Sequence, residues 1–597
     1  MNLVSGIGGR QFSIGNLVIV PTCMKPYEEA ATKSNRFAFS ELAMPFTIYL
    51  LLYTLTLSRV PSVTADSINY INTIDSGVGL FHPHHLLYNS LAWTWIALCR
   101  LLAIHTDSEI LASELNAIFG ALGLCTFYSI IRIRLGCDRG TALLATGLPA
   151  FSFGFWYYSG CVDVYIIPFF FLLLSFYHLT AEHLDGRTFA LVGFLNGMAV
   201  IFAEMSVLFA AVVFVSAWYS HRCGGNRLGK SLGKYVMAAV PTAAIPYLWA
   251  LFSLGKANSL KSAWRWLTDY AHTSKYWSPL SPSSVFKAGI GLGQAFVGSH
   301  FLFALPLVRS WVEGKVRGFY LTNDVYLVRN LGDGVARLLV ALSVALGLIL
   351  MISVGVRMFD WPALSLRKQR LVYLLLIWVL AYGIFVLFYV PSNAKYWIAP
   401  SVCLWIIFLA FLLGATPNRE GPHRWPKVIL AIVVAVLFVV NFAGSIRFTR
   451  DRDNDYYYSQ IQPLLRFSSP GDLIVIGRSW KLEGYLHRYG MVRVLSLTSV
   501  YETSGASPES VRQVEYAIED ELAAGGSVLI SWEAVVPEQE TIRSYPGITA
   551  FQTLWDSYRR RWITKEFQTN VVYILEPTKP GGLEPRHETY APTLGYR

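Results

Sequence analysis

Reactive side chains gather in the connection from Arg59 to Asn89, RVPSVTADSINYINTIDSGVGLFHPHHLLYN. A carboxylate held beside a bilayer can act as a general base on an acceptor hydroxyl or amine, or can ligate a metal, and its surroundings set its pKa. Asp66 is the first candidate for such a catalytic role, and Asp75 is the second, as a substrate contact. Each is also typical of a helix N-cap or a turn, because the sequences Ala-Asp-Ser-Ile and Ile-Asp-Ser-Gly suit those positions.

Three histidines and a tyrosine follow in the segment FHPHHLLYN. The bend at Pro83 could turn two of the imidazoles toward one point, but the spacing matches no zinc signature. We therefore expect substrate hydrogen bonding ahead of metal ligation, with a structural role at the membrane surface as the alternative. The expected substrate contacts are His82, His84, His85 and Tyr88.

Two further carboxylates interrupt apolar sequence. Asp163 lies in YYSGCVDVYIIP and Glu204 in FLNGMAVIFAEMSVLF. Placing a carboxylate at membrane depth costs free energy, so such a residue is expected to have a functional role. Asp163 is therefore a second catalytic candidate, and Glu204 is an expected substrate contact. The alternatives are a cap on the following helix for Asp163 and a turn with a satisfied carboxylate for Glu204.

A late cation stands beside aromatic rings in FYVPSNAKYWIAPSVCLW. Lys395 and Tyr396 at headgroup depth would suit a lipid phosphate, although a lysine at the end of a span can also simply extend to water. The loop 256–285 adds Arg265 and Lys275 among tryptophans and tyrosines. That loop is equally typical of a cover over a sugar and of an interfacial anchor.

The amino-acid composition indicates the class of protein that holds these residues in place. The chain has 597 residues, 54% of them hydrophobic and 15% charged, against about 25% charged in ordinary soluble domains. Such a composition predicts a polytopic membrane protein, and it excludes a disordered one. The net charge of +11 then indicates cationic cytoplasmic loops instead of nucleic-acid binding. The seven cysteines include no CxxC pair, so neither a disulfide framework nor a thiolate metal site is indicated.

Apolar runs near the length of a bilayer crossing recur between residues 41 and 450. Two more apolar segments, 86–103 and 286–308, carry polar residues and are ambiguous, so the sequence predicts 11 to 13 transmembrane helices. Four basic connections fall on one side if neither ambiguous segment crosses. The spans are predicted at 42–58, 110–131, 141–157, 164–181, 189–203, 206–220, 233–254, 335–356, 371–390, 397–414 and 427–446.

A small soluble domain follows the spans. Strands are predicted at 471–477, 492–497, 527–532 and 570–576, with helices at 479–489 and 508–524. The expected organisation is a cytoplasmic tail over 1–40, a membrane domain over 41–450, an extracytoplasmic α/β domain over 451–578 and a flexible tail over 579–597. GDLIVIG lacks the GxGxxG turn that is typical of nucleotide binding.

The layout resembles the GT-C superfamily of integral-membrane glycosyltransferases, which contains protein O-mannosyltransferases and aminoarabinose transferases. The resemblance rests on the acidic first outer loop, the His-Pro turn before LLYN, the V-D-x-Y turn at Asp163, the G-x-x-x-G hairpin from Gly193 to Gly197, and K-Y-W-x-x-P from Lys395 to Pro400. The chain differs from the family pattern at Phe81, where an acidic residue is frequent, and at Glu204, where a lysine is. It also has no DxD motif in the first outer loop.

The resemblance implies transfer of a hexosyl or pentosyl group from a polyprenyl-phosphate donor to an extracytoplasmic acceptor, which could be a lipid, a glycan or a protein. Asp66 would then be the catalytic base, and Lys395, Tyr396, Arg265 and Lys275 would meet the donor phosphate. No cofactor is expected, with a divalent metal as the alternative, and the expected location is the bacterial inner membrane, among its lipids. A transporter or a flippase for lipid-linked sugars is the alternative, although no internal repeat typical of transporters is evident.

Overall fold

The structure is a computed structural model with 25 α-helices and five strands among the residues that it describes. These residues are 40–64, 66–223, 227–255, 258–268, 277, 279–315, 320–358, 364–414, 424–477, 480–505, 507–537, 539–566 and 570–577.

The first fifteen helices lie before residue 360. They are α1 Ser40–Leu55, α2 Ser67–Ser76, α3 Tyr88–Leu101, α4 Ser108–Ser129, α5 Arg139–Phe151, α6 Phe153–Ser159, α7 Ile166–Leu179, α8 Gly186–Phe202, α9 Ala210–Arg222, α10 Leu228–Ser253, α11 Leu260–Leu267, α12 Pro282–Phe296, α13 Pro306–Lys315, α14 Tyr320–Leu327 and α15 Asp333–Met358.

The remaining elements include the sheet. The helices are α16 Leu366–Phe388, α17 Ile398–Gly414, α18 Arg424–Asn441, α19 Arg447–Thr449, α20 Tyr456–Arg466, α21 Trp480–Tyr489, α22 Leu497–Ser504, α23 Pro508–Ala523, α24 Trp532–Val535 and α25 Gln539–Ser544. The strands are β1 Leu473–Ile476, β2 Arg493–Ser496, β3 Val528–Ser531, β4 Tyr558–Glu566 and β5 Asn570–Pro577.

All eleven predicted spans coincide with helical segments. Within the described residues, seven helical segments are long and apolar enough to cross a membrane, and three shorter apolar helices, α1, α7 and α8, accompany them. The predicted span 141–157 is divided into α5 and α6, because the chain is extended at Ser152. The ambiguous segment 86–103 contains α3, and 286–308 contains the end of α12, a turn at Ser299 with φ of 53° and the start of α13.

The chain divides into two compact units. Of the described residues, the first unit takes those within Met1–Leu57, Gly79–Leu305 and Leu331–Arg447. The second takes Ser58–Val78, Pro306–Asn330 and the described part of Phe448–Arg597. The second unit therefore combines the α/β region with the first part of the predicted outer loop, through Val78, and with a segment that follows α12.

Close packing in the first unit depends on the two hairpin glycines. A Cβ atom at Gly193 would lie 2.3 Å from the Tyr235 carbonyl oxygen, and one at Gly197 would lie 2.7 Å from the Thr242 Cβ atom. Only glycine permits this approach of α8 to α10, as in other membrane helix pairs with a small-xxx-small pattern. The G-x-x-x-G motif therefore determines the distance between these two helices.

The second unit is built around a five-stranded sheet of order β2-β1-β3-β5-β4. Strand β1 pairs in parallel with β2 and β3, and β5 is antiparallel to both β3 and β4. Alternate residues of β1 pack into different cores: Leu473 and Val475 join one, and Ile474 and Ile476 join the other. A strand covered on both faces must be apolar throughout, which explains the uninterrupted run LIVI.

The second of these cores also contains a residue from the predicted outer loop. Ile68 of α2 is 1% exposed and packs with Ile461, Tyr485 and Leu486. Asn72 donates to the Gly484 carbonyl over 2.9 Å. Helix α2 therefore belongs to the hydrophobic core of the α/β unit.

Candidate functional site

Lys395 is buried at the beginning of α17, in a short 3-10 turn, Ala394–Trp397. Only 4% of its surface is exposed. Its ammonium nitrogen lies 5.2 Å from the ring centroid of Tyr165 and 5.5 Å from that of Tyr396. Aromatic faces attract a cation, and this attraction is stronger when the cation is desolvated. The two rings therefore help to stabilise the lysine charge inside the protein. Lysine and rings thus form a cationic site that could receive an anionic oxygen.

Asp163 is fully buried in the loop between α6 and α7. Its Oδ1 atom accepts a hydrogen bond from the Val164 backbone N–H at 2.7 Å. The loop itself is held by Asn116 of α4, whose amide nitrogen donates to the Cys161 and Asp163 carbonyl oxygens, each over 2.7 Å. The same nitrogen lies 3.3 Å from the Tyr88 hydroxyl. Asn116 therefore connects the first turn of α3 to the loop that carries Asp163.

Asp163 and Lys395 both influence the pKa of the neighbouring Cys161 thiol. Burial raises the pKa of Cys161 well above its usual range, the Asp163 carboxylate adds to the rise, and the Lys395 ammonium opposes it. Both charges therefore lie within electrostatic reach of one buried point.

The three histidines form a compact group around the turn Pro83–His85. The rings of His82 and His85 are stacked with centroids 4.4 Å apart, and His84 lies 5.4 Å from His82. The Tyr247 hydroxyl donates to the Pro83 carbonyl over 2.5 Å, which fixes the turn against α10.

Glu204 contacts this group directly. Its carboxylate is bonded to the Nδ1 atom of His84. Glu204 begins the 3-10 segment Glu204–Phe209 that follows α8, and half of its side chain is exposed. The pair joins two connections that are 120 residues apart in the sequence.

Lys395 also influences the histidine group. Burial lowers the pKa of His85 well below its usual range, and electrostatic interactions with His82, His84 and Lys395 lower it further. His85 is therefore neutral at physiological pH, with one ring nitrogen as a donor and the other as an acceptor. The first unit thus brings together Asp163, Lys395 and the three histidines.

A small cavity of about 20 Å³ lies beside Lys395. Tyr165, Ser206 and Tyr396 contribute to its walls, together with apolar residues of α7. This volume holds roughly one water molecule. Entry of a phosphate group therefore requires these side chains to move apart.

The two loop cations are placed differently. Arg265 is exposed on α11, which contacts the Pro83–His85 turn. The neighbouring Trp266 packs edge-to-face on Tyr247, with ring centroids 6.5 Å apart. Lys275 lies outside the described residues.

The two aspartates of the predicted outer loop belong to the second unit. Asp66 immediately precedes α2, and its side chain does not make the capping hydrogen bond of that helix. It is partly exposed. Asp75 forms an ion pair with Arg488 of α21, which gives it a structural contact within the α/β unit.

Among the described residues, no three His, Cys, Asp or Glu side chains are grouped so that they could hold a metal ion.

Sequence reasoning missed Asn116, which organises the loop of Asp163. The signal was present, because a carboxamide within an apolar span needs a polar partner inside the protein.

The structure is similar to the crystal structure of ArnT from Cupriavidus metallidurans in the apo state. The TM-score is 0.53 at 9% sequence identity, over 90% of this chain and 98% of that one. The fold is GT-C-like. The fold predicted from the sequence, GT-C-like helices with a small C-terminal α/β domain, is thus confirmed.

Two further likenesses have lower TM-scores. ArnT bound to undecaprenyl phosphate gives a TM-score of 0.47 at 11% identity, over 90% of this chain and 98% of that one. An oligosaccharyltransferase of Archaeoglobus fulgidus, tethered with an acceptor peptide, gives 0.41 at 14% identity, over 90% and 74%. No protein-family model matches the sequence, and no curated protein matches it. These comparisons therefore concern the fold.

Proposed function

We propose that this protein is a membrane glycosyltransferase that moves a sugar from a polyprenyl-phosphate donor to an extracytoplasmic acceptor. The observation that carries the proposal is the burial of Lys395 between two tyrosine rings, within electrostatic reach of the same thiol as Asp163. An ammonium group donates charge-assisted hydrogen bonds to phosphate oxygens. The phosphate of a lipid-linked donor supplies such oxygens, and its isoprenoid tail fits an apolar membrane domain.

The GT-C-like fold supports the same class of reaction. ArnT, whose apo structure has this fold, has also been crystallised with undecaprenyl phosphate. In our proposal Tyr396, Arg265 and Lys275 assist Lys395 at the donor phosphate. The sugar contacts are His82, His84, His85, Tyr88, Glu204 and Asp75.

The reaction proceeds as one displacement with inversion. Asp66 accepts the proton of an acceptor hydroxyl or amine as that atom attacks the anomeric carbon. The bond from this carbon to the phosphate oxygen breaks, and the departing oxygen keeps the electron pair. Lys395 stabilises that developing negative charge, while Asp163 balances the lysine when no donor is bound. Asp66 suits the base because its carboxylate is partly exposed and does not cap α2.

The proposal is tested with the full chain in proteoliposomes, a polyprenyl-phosphate sugar as donor and an envelope extract as the source of acceptor. Asp66→Asn is expected to reduce the transfer rate by about 10²- to 10⁴-fold, since it removes a general base. Lys395→Met is expected to weaken donor binding and to slow transfer. The matched controls are Asp520→Asn, an exposed carboxylate of the same unit, and Lys287→Met, an exposed lysine of α12.

Wild-type transfer by Asp66→Asn would remove the aspartate from catalysis. Unchanged donor affinity in Lys395→Met would remove the lysine from the site. Movement of the intact donor across the bilayer, without release of polyprenyl phosphate, would indicate a transporter and contradict the proposal as a whole.

A further inference from the structure

Three arginines meet at one end of the first unit. Arg134 is the last residue of the apolar helical segment Ser108–Arg134, while Arg367 and Arg370 lie in the first turns of α16. We call these three residues the arginine cluster. Their guanidinium groups lie close enough to repel one another.

The terminal nitrogens of the cluster are bound to helix ends. Arg134 donates to the Tyr177 carbonyl over 3.0 Å, and Arg370 donates to the Leu179 carbonyl over 3.0 Å. Arg367 donates to the Ile133 carbonyl over 3.1 Å. These bonds satisfy carbonyls at the C-terminal end of α7 and of the helical segment through Arg134, where a positive charge is favourable.

The Nε–H groups of the cluster are not satisfied in this way. In Arg134, Arg367 and Arg370 alike, the Nε atom is buried, and none of the described residues accepts a hydrogen bond from it. A buried donor without an acceptor is energetically unfavourable, so three of them at one place destabilise the protein. Their common feature is a missing acceptor.

The charge of the cluster is also unbalanced. In the part of the chain that the structure describes, Glu182 is the carboxylate that forms an ion pair with it, through Arg367 at 2.6 Å. Lys368 adds a fourth positive charge beside Arg367. An anion with several acceptor oxygens would supply both the missing acceptors and the missing charge.

The cluster lies far from the candidate site. Asn116, which holds the loop of Asp163, and Arg134 are 18 residues apart on one helical segment. At about 1.5 Å per residue, that separation is about 27 Å, close to the hydrocarbon thickness of a bilayer. The two places therefore lie at opposite ends of the membrane unit.

Tyrosine rings flank the cluster. Arg134 lies 4.5 Å from the ring centroid of Tyr177, and Arg370 lies 5.3 Å from that of Tyr219. Tyrosine is typical of the headgroup region of a membrane, where lipid phosphates are found. We propose that the arginine cluster binds the phosphate of an anionic lipid headgroup at the membrane face opposite the candidate site.

The test measures phospholipid binding to the full chain. The purified protein is titrated in detergent with phosphatidylglycerol or phosphatidylcholine, and bound lipid is counted by native mass spectrometry. Arg367→Gln is expected to lower the affinity for phosphatidylglycerol about fivefold, the effect of about one charge near the surface, and to leave phosphatidylcholine unaffected. Arg187→Gln, an exposed arginine at the start of α8, is the matched control and should bind as the wild type does.

Arg370→Gln is expected to show a similar loss, and its folding is checked by thermal unfolding because this residue also holds helix ends. Arg367 is 37% exposed, so Arg367→Gln keeps the test decisive if Arg370→Gln misfolds. A separate titration uses inorganic phosphate alone. If inorganic phosphate competes with phosphatidylglycerol, the phosphate group alone is sufficient for binding. If it does not compete, the intact lipid is the ligand. Equal binding of both lipids by the wild type, or equal losses in Arg367→Gln and Arg187→Gln, would overturn the proposal.

Discussion

A single buried lysine determines much of the chemistry available to the first unit. Lys395 is enclosed by tyrosine rings, and its charge also acts on His85 and Cys161. A donor phosphate bound there would neutralise the charge that now disfavours protonation of His85. Donor binding and the protonation of this histidine are therefore coupled in the proposed enzyme.

Stability should depend on pH through His85. Its pKa lies below the ordinary value of 6.5, so the unfolded chain binds more protons in the window between the folded value and 6.5. Stability therefore rises with pH across that window, and it is lost as the pH falls below 6.5. We expect His85→Gln to flatten this dependence, measured as unfolding temperature against pH in detergent.

The control for this measurement is His183→Gln, because His183 is exposed between α7 and α8. This variant should retain the wild-type slope. An unchanged slope in His85→Gln would show that His85 is not the group responsible.

Individual site residues were partly predictable from the sequence. Asp163, Lys395 and the histidines stand out because charged or polar groups beside apolar runs are costly, and the structure brings them together. The pairing of His84 with Glu204 was not predictable, since it joins distant connections. Their catalytic and binding roles remain predictions.

At the scale of elements, long hydrophobic runs predicted the membrane helices, and short β-rich runs predicted four strands. The break in the span 141–157 was not predicted, because the apolar run continues through it. Strand β4 was missed as well: its sequence YRRRWITKE is strongly charged, and β4 forms by pairing with β5 at the sheet edge. Strand β4 therefore depends on its pairing with β5, and the local sequence of β4 carries no information about that partner.

The contact between α4 and the Asp163 loop gives an element-scale prediction. Asn116→Leu removes both hydrogen bonds to the loop and leaves two buried carbonyls without that donor. We expect a loss of about 1–3 kcal/mol in stability, together with slower transfer as Asp163 loses its position. Thermal unfolding and the proteoliposome assay measure the two effects.

Ser113→Ala, on the same helix, is the matched control. The hydroxyl of Ser113 is buried and makes no hydrogen bond to the described residues, so its removal should change stability little. Equal behaviour of Asn116→Leu and Ser113→Ala would contradict the proposed role of Asn116.

At the scale of the molecule, the α/β unit is assembled from three separate stretches of chain. The sequence indicated an α/β region after residue 450 and placed the outer loop of Asp66 in the membrane domain. The packing of this loop within the α/β unit was not predictable. The sequence around Ile68 and Asn72 has the pattern of an ordinary amphipathic helix, and that pattern does not identify the packing partner. The buried Asp455 strengthens the assembly, since it accepts hydrogen bonds from the Ser62 backbone N–H and the Tyr485 hydroxyl.

Removal of the α/β region should therefore abolish activity. A chain that ends at Arg450 leaves α2 without Ile461, Tyr485 and Leu486, so the proposed base loses its support. We expect the shortened protein to insert into membranes and to show no transfer. A second variant that lacks residues 579–597 is the control and should remain active. Normal transfer by the chain ending at Arg450 would refute the dependence of Asp66 on this unit.

The contact between Ser62 and Asp455 spans 393 positions of the chain. At about 5 to 20 residues per second, a ribosome needs roughly 20 to 80 seconds to translate that interval. Throughout it, the loop around Asp66 has emerged while its packing partners have yet to be synthesised. The native packing of this loop is therefore completed only after the interval has been translated.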